Sequence, residues 1–323
     1  MPIMTKPHPL LGKLTADEFL ANYWQKKPLL IRGAIPNFEP PIDGDDLAGM
    51  ALEEEVESRL VIGDEWKLEH GPFDLDRFKT LPKHNWSLLV QGVDLWIPEV
   101  ADLLARFDFL PPWRKDDIMV SYAEDGGNVG PHFDYYDVFL LQGFGQRRWQ
   151  IGQWCNKSDK LNEKSQLKVL KHLDVTEEWL LNPGDMLYLP PMIAHHGVAV
   201  GQCTTFSVGF RAPAATEMLD DLATELLSRD ITPKHLTDPP LTAALANKPI
   251  SKAYVRQVKE LLLEILDDEQ LLAEWFAQFM TEPKYPSLVS MTEECRSAAL
   301  VNLSDDGKQQ SIIHYVNGQK QES

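Results

Sequence analysis

A glycine-rich turn, Gly126-Gly127-Asn128-Val129-Gly130-Pro131, runs straight into His132-Phe133-Asp134. On an extended segment residues i and i+2 face the same way, so an imidazole and a carboxylate emerge side by side. Two such groups can grip one ion, and a third ligand must then come from a distant strand. Pro190-Pro191-Met192-Ile193-Ala194-His195-His196-Gly197 supplies it, after a Pro183-Gly184-Asp185 turn and the apolar run Met186-Leu187-Tyr188-Leu189. Two imidazoles and one carboxylate on one face of an octahedral ion leave three positions open, the pattern of non-haem iron(II) oxygen chemistry. Neighbours on a strand point to opposite faces, so spacing leaves His195 and His196 as competing ligands.

If the oxidant is generated from dioxygen with 2-oxoglutarate, the distal carboxylate of that cosubstrate needs a cation, because a buried unpaired anion is very costly. Arg147 and Arg148, just after Gly143-Phe144-Gly145, are the candidates. A guanidinium takes a carboxylate through two parallel N–H bonds. The two arginines alternate faces, and parity alone does not choose between them.

The elements that must position these groups are legible as short β-rich runs. Residues 87–90, 118–122, 138–141, 148–151, 186–189 and 204–210 read as strands separated by Gly, Pro and Asp, which implies a sandwich or barrel. The fold class expected is mainly β with helices (α+β). Ahead of the strands, Thr15 and Glu18 form a capping-box signature before a helix carrying Phe19, Leu20, Tyr23 and Trp24. A short strand is expected at 29–31 and a second helix at 45–59. Beyond Pro213 the pattern turns helical: Met218, Leu219, Leu222 and Leu226 mark one helix, Pro233, Pro239, Pro240 and Pro249 a linker, and residues 251–280 a helical block. A last β-like run lies at 311–316. A domain boundary near residue 213 is expected, dividing a β-rich part at 1–212 from a helical part at 213–285 and a short polar tail at 286–323.

Composition bounds the partners. The 323 residues are 43% hydrophobic, enough for a sizeable core, and 49 acidic against 31 basic residues give a net charge of −18. That charge disfavours a sequence-independent grip on nucleic acid and suits a basic protein partner. Three cysteines, Cys155, Cys203 and Cys295, at wide spacing argue against a disulfide framework and for a reducing cytoplasm. No export signal or membrane-spanning stretch is expected.

The run from Asp116 to Pro213 resembles the JmjC-type cupin hydroxylases, in particular the bacterial ribosomal oxygenases that hydroxylate an arginine of a large-subunit ribosomal protein. Carrying the resemblance are Trp86-Ser87-Leu88-Leu89-Val90-Gln91, Asp116-Asp117-Ile118-Met119-Val120-Ser121, Gly130-Pro131-His132-Phe133-Asp134-Tyr135-Tyr136-Asp137, Arg147-Arg148-Trp149 and Phe206-Ser207-Val208-Gly209-Phe210-Arg211. It implies a double-stranded β-helix in which His132, Asp134 and His195 bind Fe(II) and Arg147 binds 2-oxoglutarate, with dioxygen as the oxidant. It also implies a substrate arginine pocket of Asp117, Met119, Tyr136 and Ser207, hydroxylation at the arginine β-carbon, and a homodimer. The resemblance makes 1–212 the oxygenase domain, 213–285 a helical dimerisation region and 286–323 a partial winged-helix-like segment, the stretch after Met280 being short for the complete winged helix that ends such proteins. Rival expectations are the same chemistry on a histidine or lysine, and a cupin that binds metal or peptide without catalysis.

Overall fold

The computed structural model describes residues 6–229, 234–243, 248–286, 298–301 and 313–321. Pro233, Cys295 and the first two residues of the 311–316 run lie outside the described residues. The chain divides into two compact units, Met1–Ala212 and Pro213–Ser323.

The first unit is built on two antiparallel sheets. In the larger, the order is β1 (Leu29–Ile31), β9 (Met186–Leu189), β6 (Val138–Gln142), β11 (Cys203–Phe210), β5 (Lys115–Ala123), β4 (Trp86–Val90), β2 (Ser58–Ile62) and β3 (Lys67–His70). The smaller holds β10 (Ile193–Val200), β7 (Gln146–Trp154) and β8 (Glu177–Leu181). The jump from β6 to β11 and β9 within one sheet, with β7, β8 and β10 in the other, is the winding of a double-stranded β-helix.

Successive side chains point to opposite faces, and β6, β9 and most of β11 are buried on both. Phe139, Leu141, Met186, Tyr188, Phe206 and Val208 join one core, packed with Phe19 of α1 (Ala16–Asn22), Leu47 of α2 (Gly44–Met50), Phe78 of α3 (Leu75–Lys79) and Val100 of α4 (Pro98–Ala105). Val138, Leu140, Leu187 and Leu189 turn the other way and meet Trp149, Ile151 and Ile193 of the small sheet. The space between the sheets is therefore apolar where these chains fill it and open where shorter polar residues line it.

The Thr15 capping box forms as its sequence pattern predicts: Glu18 N–H donates to Thr15 Oγ1 at 3.1 Å, and Thr15 N–H to Glu18 at 2.9 Å. The helix expected at 45–59 is cut short. It ends at Met50, and Ser58–Ile62 pairs as β2 with β4 and β3. The β-branched and apolar run Leu60-Val61-Ile62 gains more from burial between two strands than from continuing a helix through an acidic turn.

In the second unit, α5 (Ala215–Ser228) and α7 (Glu269–Thr281) are tied by a hydrogen bond from Trp275 Nε1 to Asp221 at 2.7 Å. The intervening α6 (Lys252–Leu266) buries none of its residues. β12 (Ala298–Val301), β13 (Ile313–Val316) and β14 (Gln319–Lys320) form a small antiparallel sheet, and Gly318 N–H donates to Thr281 Oγ1 at 3.0 Å.

Candidate active site

His132 and His195 face each other as a two-way backbone bridge: each N–H donates to the other's carbonyl, at 3.0 and 2.8 Å. The pairing continues past the bridge, since Met192 N–H donates to the Asp134 carbonyl at 2.7 Å. Asp134 thus sits on an irregular segment rather than in a strand, yet it is pinned beside β10. Gly130 makes the approach possible. Its φ is +80°, and a Cβ there would meet Val169 at 2.8 Å.

The ligand atoms of His132, Asp134 and His195 lie within 4.8 Å of one another. His195 Nε2 is 3.7 Å from an Asp134 oxygen. Each imidazole is oriented from behind: Nδ1 of His132 donates to the Gly130 carbonyl and Nδ1 of His195 to that of Ile193, both at 2.9 Å. Because a carbonyl can only accept, Nδ1 carries the proton and the Nε2 lone pair is left to the centre. Burial, reinforced by the neighbouring His132, pulls the His195 imidazole down to about 4, so it stays neutral at physiological pH. His196 points away, with Nε2 3.1 Å from the Asn128 side-chain oxygen. Three neutral or anionic donors on one side of a point suit a first-row divalent cation with open positions.

The three groups line a cavity of about 360 Å³ between the sheets. Arg147 enters it from the small sheet and is 4% exposed. Among the described residues its Nη2 hydrogen-bonds the Cys203 sulfur at 3.6 Å, its guanidinium lies 5.8 Å from the Trp149 ring centre, and its Nε is buried without an acceptor. Arg148, on the opposite face of the strand, lies 3.6 Å from Glu178 at the surface. A buried guanidinium with unmet donors calls for an anion, and a carboxylate matches its fork. Ser87 Oγ and Trp149 Nε1, also in the cavity wall, are likewise buried without a hydrogen-bond partner among the described residues.

Comparison with known proteins gives this geometry a lineage. The JmjC domain family matches residues 102–218, and the ROXA-like winged helix matches residues 264–320. The chain is 37% identical over 274 residues to the ribosomal protein uL16 3-hydroxylase of Escherichia coli strain K12, covering 84% of this chain and 73% of that protein. It is 41% identical over 221 residues to a probable ribosomal oxygenase of Haemophilus influenzae, covering 67% of this chain and 54% of that one. The chain belongs to the JmjC-type ribosomal oxygenases.

Solved ribosomal oxygenases agree with the fold. The X-ray structure of E. coli YcfD superposes with a TM-score of 0.81 at 32% identity, over 96% of this chain and 86% of that one. The same protein in complex with cobalt and 2-oxoglutarate gives a TM-score of 0.79. As a ribosomal oxygenase the chain is a 2-oxoglutarate-dependent dioxygenase with a JmjC cupin core. The winged-helix match begins within α6, well before residue 286.

The expected arginine pocket of this oxygenase divides in two. Met119, Tyr136 and Ser207 line the cavity, whereas Asp117, 7% exposed, stands off its wall. The register pairs Met119 with Ser207 across β5 and β11, which brings those two onto one face. The Asp134 charge, then burial, push the Tyr136 hydroxyl well above its usual range, so it remains a donor. Sequence reasoning missed Arg59, which also lines the cavity. Reading 45–59 as a helix hid it; an arginine opening the apolar run Leu60-Val61-Ile62 was the available signal of an inward cation on a strand.

Proposed function

We propose that the chain holds Fe(II) on His132, Asp134 and His195, anchors 2-oxoglutarate on Arg147, and hydroxylates the β-carbon of an arginine in a large-subunit ribosomal protein. The observation that carries this reading is the shared cavity: the His-Asp-His cluster and a buried guanidinium with unmet donors open onto one space. When bound, the metal with 2-oxoglutarate and dioxygen supplies the oxidising chemistry, and 2-oxoglutarate leaves as succinate and carbon dioxide.

The chain's own contribution is position and exclusion of water. His132 and His195 present Nε2 because their Nδ1–H groups are held by backbone carbonyls. Arg147 fixes the cosubstrate tail deep between the sheets, where its charge is least screened. The walls of Met119, Tyr136 and Ser207 hold the apolar stem of an arginine, and the negative charge of Asp117, set behind the wall and felt at the Tyr136 hydroxyl, favours a cationic side chain there. The uL16 3-hydroxylase activity named for the E. coli relative supports the ribosomal target. The net charge of −18 supports docking on a basic protein rather than on RNA phosphates, in a reducing cytoplasm.

A homodimer completes the proposal. α6 exposes Val255, Val258, Leu262, Leu263 and Leu266, with Val255 62% and Leu262 56% exposed. An amphipathic helix with no buried residue in its own chain is suited to a second copy.

The test is incubation with Fe(II), ascorbate and 2-oxoglutarate, with and without arginine-containing peptides of large-subunit ribosomal proteins. The expected result is a gain of one oxygen atom on an arginine, dependent on 2-oxoglutarate and located at the β-carbon by fragmentation. Turnover of 2-oxoglutarate with no change in any peptide mass removes the ribosomal target. An oxygen on histidine or lysine instead replaces the arginine assignment.

A further inference from the structure

The strands that line the metal-facing cavity have a second face. Along β4, Ser87 and Leu89 line that cavity, while Trp86 and Leu88 turn the other way. Tyr122 of β5 and Thr204 of β11 turn with them, and together with Ile42 and with Ala48 of α2 they bound a separate cavity of about 650 Å³.

This second cavity is graded from floor to rim. Ile42 and Leu88 are buried at its floor. Trp86 and Tyr122, with ring centres 5.5 Å apart, form a half-buried aromatic wall. Asp43, Asp45 and Glu124 stand around it, and no lysine or arginine is among the described residues that line it. Glu124 is fixed in place, accepting from the Tyr122 hydroxyl at 2.7 Å and from Gln202 Nε2 at 2.9 Å. Phe144 closes the rim and is 54% exposed. Its N–H donates to Thr204 Oγ1 at 2.8 Å and its carbonyl accepts from the Thr204 N–H at 3.0 Å, so the turn holds the ring outward. Opposite, Gly44 lets Tyr122 lie against the start of α2, where a Cβ would meet the ring at 2.6 Å.

An apolar floor beneath an anionic rim selects its occupant. An apolar side chain gains by burial on the floor. Cations on either side of it gain from the three carboxylates and from the faces of the aromatic rings. An acidic segment meets like charge, and a wholly polar one leaves the floor unfilled. The volume falls in the range of roughly 300–1,000 Å³ that suits a specific ligand.

We propose that this cavity is a second binding site, on the face of the catalytic sheet turned away from the metal cluster, for a protein segment in which an apolar side chain is flanked by lysine or arginine. The net charge of −18 draws basic partners to the surface at large, and the cavity gives one of them a seat. Binding there needs neither metal nor 2-oxoglutarate, so it stands apart from the proposed hydroxylation.

The probe is the peptide acetyl-Lys-Lys-Phe-Lys-Lys-amide, whose Kd for the full chain is measured by calorimetry at low salt. The expected result is binding that weakens about tenfold or more when serine replaces the phenylalanine or glutamate replaces the lysines. Three protein variants place the site: Ala48→Phe fills the cavity, Asp45→Lys reverses a rim charge, and Phe144→Ser removes an exposed ring at little risk to the fold. Each is expected to weaken the peptide about tenfold, while cobalt(II) binding persists in all three and reports an intact fold. His132→Ala is expected to bind the peptide as the natural protein does. No binding by the natural protein, or unchanged binding in all three variants, overturns the site. A fall in sedimenting mass on Phe144→Ser also overturns it, since the cavity is then covered by a second copy of the chain. A protein that binds this peptide but oxidises no ribosomal peptide keeps the second site and loses the proposed hydroxylation.

Discussion

Each metal-facing imidazole is set by a bond on its far side, and the difference between His195 and His196 is a difference in what that bond meets. His195 turns Nε2 to the cluster because Nδ1–H is held by Ile193, whereas His196 reaches Asn128. Accordingly His195→Ala is expected to weaken cobalt(II) binding by at least roughly a hundredfold, while His196→Ala retains it; calorimetric titration with the metal alone separates the two. Arg147 follows the same logic for the cosubstrate. Arg147→Met is expected to raise the 2-oxoglutarate Kd by roughly tenfold to a hundredfold, the loss of charge-assisted hydrogen bonds. A lysine there restores only part of it, because a point charge does not reproduce the guanidinium fork.

Between the strands that carry these residues, the Pro183-Gly184-Asp185 turn acts as a staple. Asp185 accepts from the Arg32 guanidinium at 2.6 Å and from the N–H groups of Gly33 and Asn182 at 2.9 and 3.0 Å, locking the start of β9 to the end of β1. Burial opposes its charge, yet the Asn182 and Gly33 N–H groups and the Arg32 guanidinium together hold its carboxyl below the usual range. A depressed carboxyl contributes stability that is fully present above its unfolded value, about 4, and is lost as pH falls through the folded one. Asp185→Asn is therefore expected to cost about 2 kcal/mol at neutral pH, with the gap to the natural protein narrowing in acid; urea midpoints at pH 7 and below pH 4 check both. A similar knot holds the segment after Asp134: Tyr188 Oη–H donates to buried Asp137 at 2.6 Å, and Gln25 Nε2 donates to the same carboxylate at 3.0 Å.

For the whole molecule, the acidic charge and the uncovered face of α6 bear on association. If α6 pairs with a second copy, Leu262→Glu buries a carboxylate in an apolar contact and is expected to convert a dimer to a monomer. Sedimentation velocity reads the mass, and a natural protein that already sediments as a monomer removes the dimer. The Met1–Ala212 unit contains the complete His-Asp-His cluster and Arg147, so metal and 2-oxoglutarate binding are expected to survive that substitution.

Residue types and their order determined much by themselves. A histidine and aspartate after a glycine turn, a distant histidine after Pro-Gly-Asp and paired arginines pointed to a metal-binding cluster and left two candidate cations beside it. Short β-rich runs punctuated by Gly, Pro and Asp sufficed for a sheet fold, because strands buried on both faces, such as β6 and β9, read as continuous apolar stretches. Tertiary structure decided what one-dimensional spacing leaves degenerate. Adjacent residues such as His195 and His196, or Arg147 and Arg148, differ only in which face the sheet turns inward. Arg59 was hidden because local propensity favoured a helix where pairing between two strands prevails. Its hydrogen bond to Gln91, just past the end of β4, and that of Gln91 to Asp117 on β5 link positions distant in sequence, which the register of β2, β4 and β5 brings together.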